Sequence, residues 1–224
     1  MTFEDRFAEI MERVHVPPTT KLWVHASLFG VVVSALCCAY IGLQSGWDGV
    51  SSFNRGVSNA AMILIGLSFI ASGVCYFWDF ADKLIVNRKY VGLTGFWLVS
   101  VHGFVSLAQK KYDLGYFLLP QNIVAFLSAV AAMAIFVMMA LISNTFSVKK
   151  LGGKRWRAML RVGYLAYVFA IIHMLIKVAP QWSQSVSSGG LPPLSALTAL
   201  FGVSVVIMRL VLMVVLMRKK SLAK

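Results

Sequence analysis

Carboxylates are the scarcest chemistry in this sequence. Only eight Asp and Glu residues occur among 224, and they form no Ser/His/Asp set and no closely paired acids, which removes the usual equipment of acid–base and nucleophilic catalysis. Cysteine is sparser still: Cys37, Cys38 and Cys75 lie within apolar stretches with no CxxC or Cys/His spacing, so they read as small buried apolar residues and not as metal ligands. Leu151-Gly152-Gly153-Lys154 lacks the spacing of a phosphate-binding loop. The first fifteen residues are polar and of mixed charge, with no short apolar core followed by small residues, so no cleaved signal peptide is expected.

What the chain has is apolar length. Hydrophobic residues make up 59% and charged residues 13%, with a mean hydropathy of +0.78, a balance that requires lipid as solvent. Apolar runs of about 20 residues recur, each able to cross a hydrocarbon core of about 30 Å as a helix, and none shows the period-two alternation of a membrane β-barrel strand. Six spans are expected, from Leu22 to Leu43, Val57 to Trp78, Lys89 to Leu107, Leu118 to Ile142, Ala158 to Ala179 and Leu194 to Met217. The fold class is therefore an all-α six-helix membrane bundle. Its expected organisation is a cytoplasmic amphipathic segment over 1–20, the membrane domain over 21–217 and a basic tail over 218–224. Phe3, Phe7, Ile10, Met11 and Val14 form one stripe of the first segment, which reads as an interfacial helix.

The net charge of +13 sits in clusters between apolar runs and not on one face with interleaved aromatics, which argues against nucleic acid. Sixteen of the 21 basic residues fall in the N-terminal segment, the second and fourth connections and the tail, four fall on the opposite side, and Arg209 lies within the last span. Cytoplasmic segments retain such an excess, so both termini are expected in the cytoplasm. Arg209 needs an anionic partner, and an aspartate at the cytoplasmic end of the second span, Asp79 or Asp82, is favoured over a haem propionate. Lys110, Lys111, Tyr112, Asp113 and Trp182 form the opposite rim.

Two of four histidines lie deep in spans. His102 stands 13 residues past Lys89 and His173 stands 12 past Arg161, which at 1.5 Å per residue puts them at about 20 and about 18 Å along two helices of the same direction. Imidazoles at one depth on separate helices can hold haem iron from both faces, and six-coordinate iron with no open position favours electron transfer. Nearby Gly92, Gly95, Phe96, Trp97, Gly103, Gly163, Tyr164 and Tyr167 can admit and flank a flat porphyrin. The other use of each histidine is a hydrogen bond to a neighbouring helix. His15 and His25 read as interfacial. A quinol or flavin is expected near Arg88, Lys89, Trp156, Arg157 and Arg161, where cations can hold a phosphate or semiquinone; positive-inside anchoring is the alternative for this cluster.

The segment from Leu141 through Ser143-Asn144-Thr145-Phe146 and Lys149-Lys150-Leu151-Gly152-Gly153-Lys154-Arg155-Trp156, running to Tyr164 and His173, resembles the ferric-reductase-like transmembrane family. Its loop looks most like the branch of haem-binding membrane subunits of bacterial methionine-sulfoxide reductase systems. Arg88, Lys89, Gly92, Leu93, Phe96 and His102 also match the family's third-span pattern. The resemblance covers spans three to five and implies a b-type cytochrome of oxidoreductase systems. Family members can carry two haems, each held by one histidine on the third span and one on the fifth. Here the outer pair, His102 and His173, is present, while Arg88 and Leu160 stand where the inner histidines would be. The resemblance therefore implies one haem b, with an inner flavin in some relatives. With seven residues after Met217, no appended flavin/nicotinamide domain is expected, so a quinol or a flavin reductase would supply electrons to a periplasmic acceptor or partner reductase. A non-redox scaffold or transporter subunit is the competing class.

Overall fold

The computed structural model describes residues 6, 9, 10, 12–14, 16–182 and 191–222. Helices follow one another as α1 (Thr19–Ser45), α2 (Val50–Phe77), α3 (Leu84–Gln109), α4 (Leu114–Leu118), α5 (Pro120–Ile142), α6 (Thr145–Leu151), α7 (Gly153–Arg161), α8 (Gly163–Val178) and α9 (Leu194–Leu222), with single 3-10 turns at Asp79–Ala81 and Ala179–Gln181. No strand occurs among the described residues. Six helices are long and apolar enough to cross a membrane, so the chain is a multi-pass membrane protein, and their bounds lie within about five residues of expectation except that the second begins at Val50 and not at Val57.

Within the fifth span, Gly153–Gln181, the basic, amphipathic α7 ends at Arg161, and Val162, whose backbone stays in the helical region, separates it from the apolar α8. The span begins five residues before the expected Ala158; Arg157 and Arg161 lie on α7, and His173 stands ten residues into α8.

Burial identifies α2 as the central helix. Two thirds of its apolar stretch is buried (67%), against 11–22% for the other five. In lipid, helices associate through close packing and not through exclusion of water, so small residues concentrate where backbones approach. Gly95 of α3 lies directly against α2: a Cβ there would stand 2.7 Å from Ile65 Cγ1, 3.1 Å from the Ile65 nitrogen and 3.2 Å from the Ala61 oxygen. Gly92 approaches Ser68 in the same way, and Gly163 approaches Met139 and Phe69. These glycines seat helices on one another and do not clear room for a porphyrin, contrary to the sequence reading; Gly103, whose Cβ would meet only Met133 at 3.9 Å, has space around it. Trp97 is exposed on the outside of the bundle. Gly95→Leu is expected to cost about 1–3 kcal/mol by overpacking, seen as a lowered Tm in detergent, whereas Gly103→Ala should leave Tm unchanged.

The main core seam joins Met62, Ile65 and Phe69 of α2 to Phe136 of α5, Tyr167 and Ile171 of α8 and Val205 of α9. Tyr167 is fully buried, and its hydroxyl donates to the Met62 carbonyl at 3.0 Å. Tyr164 does the same to Phe69 at 3.0 Å while its ring stacks on the Phe69 ring. Each phenol thereby satisfies its own polar end inside an apolar seam.

Both termini reach one end of the bundle, called the terminal face. Lys219 near the end of α9 donates to the Tyr76 hydroxyl at the end of α2, and Arg6 binds Asp79 and Asp82 in the α2–α3 connection. Among the N-terminal residues, Arg6, Glu9, Ile10, Glu12 and Arg13 are helical. Ile10 is buried against Cys75, Ala81 and Ile85, so this part of the apolar stripe packs on protein; Phe3, Phe7, Met11 and His15 lie outside the described residues, as do 183–190 of the last connection.

Arg6 and Asp82 are both buried, and Glu9 and Asp79 bind the same guanidinium. Burial pulls the Arg6 pKa down, but the Glu9 hydrogen bond and the charges of Asp82, Asp79 and Glu9 outweigh it and hold the group above the ordinary arginine value. Removing one partner of such a pair strands the other charge. Arg6→Ala is therefore expected to lower stability by about 3 kcal/mol, read as the unfolding midpoint in detergent. At the opposite end, the Gln44–Gly49 turn uses Gly46 (φ 74°) and Gly49 (φ 69°) in the left-handed region, where a Cβ is disfavoured. Cys37 and Cys75 are buried, Cys38 is half-buried, and all three are free thiols.

Candidate functional site: a histidine pair above an arginine-lined cavity

His102 lies on α3 and His173 on α8, both toward the end of the bundle opposite the terminal face. Their helices scarcely touch; α3 packs on α1 and α2, and α8 packs on α5 and α9. His102 lies within electrostatic range of His173, although the two helices are not packed together.

Each ring is anchored through the same nitrogen. His173 Nδ1 is 2.8 Å from the Ala125 carbonyl of α5; a carbonyl only accepts, so Nδ1 carries the proton and donates. His102 Nδ1 is 2.9 Å from Asn54 Oδ1 of α2. The Asn54 amide is oriented by its other end, where Nδ2 donates to Ser106 Oγ at 2.9 Å and to Gln109 Oε1 at 3.3 Å, leaving the oxygen for the histidine. In both rings Nε2 is then the unprotonated nitrogen and holds the lone pair. A neutral imidazole with Nδ1–H tied to an acceptor is the form in which histidine binds a metal, so the two Nε2 atoms fit as ligands to haem iron. No cluster of three or more metal-binding side chains exists among the described residues. Lys177, one turn past His173, donates to Asn122 Oδ1 at 3.0 Å.

Nearer the terminal face lies a cavity of about 340 Å³, within the usual size of small-molecule sites. Its wall combines Ser68 and Phe69 of α2, Arg88, Lys89, Gly92 and Phe96 of α3, Phe136 and Met139 of α5, and Trp156 and Leu160 of α7. Arg88 and Leu160, the two positions where the resemblance lacks inner histidines, thus line one space. Trp156 is held in this wall by its indole N–H, which donates to the Ile142 carbonyl at the end of α5 at 2.9 Å. Lys89 is an exposed member of the wall; Arg157 and Arg161 are not among its residues, and Arg161 is exposed on α7.

Arg88 is half-buried, and no carboxylate pairs with it among the described residues. Its electrostatic neighbours are Tyr164 and a second cation, Arg209. Arg209 lies over the Tyr164 ring at 5.0 Å, a cation–π contact. The expected Arg209 ion pair with Asp79 or Asp82 does not form, because Arg6 already occupies both aspartates. His25 is exposed on α1 and joins neither site.

Sequence reasoning located the histidines but not their anchors. Asn54 and Ala125 are each 48 residues from the ring they hold, and only the rotation of α2 and α5 in the bundle reveals them. Asn54 lies three residues ahead of the expected second span, which begins at Val57, so hydropathy did not single it out.

No family model matches the chain. It is, however, similar to the protein-methionine-sulfoxide reductase heme-binding subunit of Rhodospirillum rubrum, at 26% identity over 155 residues that cover 68% of this chain and 74% of the relative. This similarity over 68% of the chain points to the same branch as the motif resemblance, and with six apolar helices and a bacterial relative, the chain is a multi-pass protein of the bacterial inner membrane.

Proposed function

We propose that the protein is a membrane b-type cytochrome that carries electrons outward through one haem held by His102 and His173. The observation that supports this most directly is the matched anchoring of the two rings, each with Nδ1–H donated to a fixed oxygen and Nε2 left as a donor atom. The similarity to a heme-binding subunit points the same way. Haem bound there supplies a one-electron iron couple with both axial positions filled. The protein's own part is to hold two neutral imidazoles in orientation, exclude water around them, and keep α3 and α8 apart on either side of α2 and α5.

The terminal face is cytoplasmic in this reading, since the basic clusters gather there, and the electron donor enters at the arginine-lined cavity. A quinol fits that space. The wall is mostly aliphatic and aromatic, with Arg88 as its half-buried cation and Ser68, Ser143, Asn144 and Thr145 as further polar members, which suits a flat apolar ring with oxygen substituents. Arg88 holds the ring oxygen, and Trp156 and Phe96 flank it. The acceptor is a periplasmic protein or reductase subunit on the opposite face. The test is reduction of the purified cytochrome by a short-tailed ubiquinol and, separately, by reduced flavin mononucleotide: rapid reduction by the quinol alone is expected, and a cytochrome reduced by neither contradicts the donor assignment.

A further inference from the structure

We propose that Asn54 is the positioning residue that sets the electron richness of the His102 ligand, and with it the reduction potential of the haem; this inference rests on the bis-histidine reading above. His102, Ser106 and Gln109 stand at positions i, i+4 and i+7 of α3, one stripe of the helix facing α2. Asn54, four residues into α2 and buried (7% exposed), engages all three members with a single amide. The oxygen takes the His102 proton donor, and the nitrogen gives its hydrogens to Ser106 and Gln109. Rotating the amide by half a turn would set its N–H against the imidazole N–H and its oxygen against Gln109 Oε1. With Ser106 and Gln109 accepting from the amide nitrogen, the amide oxygen faces the His102 Nδ1–H and leaves Nε2 as the unprotonated nitrogen.

The two ligands differ in this respect. His173 is anchored by a main-chain carbonyl, whose acceptor strength no side-chain change alters. His102 is anchored by a side chain, so its electronic character is set by one residue. The stronger the acceptor on Nδ1–H, the more electron density reaches Nε2, and the more the oxidised iron is favoured. An amide oxygen is an intermediate acceptor between none and a carboxylate.

The prediction is a pair of opposite shifts. In Asn54→Leu the Nδ1–H loses its acceptor, so the midpoint potential rises and haem affinity falls by roughly 10- to 100-fold. In Asn54→Asp one carboxylate oxygen keeps the histidine bond, Ser106 rotates its hydroxyl to donate to the other, and Gln109 turns its amide to do the same; haem is retained and the potential falls below that of the wild type. A merely structural role for Asn54 lowers haem content in both variants without shifting the potential in opposite directions. The experiment is a redox titration of full-length protein in detergent, followed in the visible haem bands, with haem content from the pyridine haemochrome. If an Asn54 variant does not accumulate, Ser106→Ala/Gln109→Leu releases the far end of the amide while sparing the His102 bond, and a smaller upward shift is expected. Unmoved potentials in folded, haem-loaded variants overturn the inference while leaving the cytochrome reading intact; wild-type protein with no haem would overturn that reading itself.

Discussion

His102→Ala and His173→Ala are each expected to remove the low-spin haem spectrum. The loss in haem affinity should exceed about 100-fold, the upper end of what loss of a partner beyond the ligands costs, because here an iron–nitrogen bond itself is lost. Neither ring has a nearby histidine to replace it: His25 is exposed on α1, near the terminal face. Imidazole added to either alanine variant should restore part of the spectrum, since the cavity left by the side chain accepts the free ligand and the remaining histidine holds the other face. His25→Ala should leave the spectrum unchanged. A pair of histidines used only to tie helices together would give a different result, in which both alanine variants lose stability and wild-type protein shows no Soret band to lose.

The second large effect is expected at Arg88. Arg88→Leu should slow reduction by a short-tailed ubiquinol by roughly 10- to 100-fold, the worth of a hydrogen bond to a charged group at about 1.5–3 kcal/mol, with haem content and Soret position unchanged. The variant is interpretable because no carboxylate depends on Arg88 among the described residues. Replacing this half-buried cation strands no carboxylate and relieves its repulsion with Arg209, so stability should hold. Lys89→Leu serves as the contrast. Lys89 is exposed and its ammonium lies 5.6 Å from the Tyr90 ring centroid, so its loss should change the quinol rate by less than about threefold, in line with the small worth of exposed charges. Equal losses in both variants would indicate general attraction at the surface and not a site.

The parts of this fold that were legible in advance share one physical basis. Lipid imposes length and apolarity on each span, so six helices and their order followed from hydropathy alone. The depth expected of His102 and His173 rests on helix rise. Other features depended instead on how helices rotate and pack. Gly92 and Gly95 looked like clearance for a porphyrin, but they are where α3 seats on α2. The first residues looked like an interfacial helix, yet Arg6 and Ile10 are claimed by the α2–α3 connection. That contact consumes Asp79 and Asp82 and leaves Arg209 to the Tyr164 ring. The cavity between Arg88 and Leu160 joins residues 72 positions apart, and no local pattern marks a space. Asn54 was silent for the same reason: its role is defined by the stripe it faces on another helix.

The division between α7 and α8 has a local cause that the hydropathy average conceals. Lys154, Arg155, Arg157 and Arg161 are distributed through nine residues of α7, giving a helix charged on one side and unable to continue into hydrocarbon, whereas α8 from Gly163 carries Lys177 alone, in its last turn. The boundary falls where the charge density ends. This arrangement lets Trp156 and Leu160 close one side of the cavity while α8 carries His173 toward the other face.

The most direct test of the central claim is the reduced-minus-oxidised absorbance spectrum of purified wild-type protein with its iron-to-protein ratio. One low-spin b-type haem per chain is the predicted result. No haem after supplementation during expression would contradict the cytochrome reading, and two haems per chain would contradict the assignment of the Arg88 cavity to a donor.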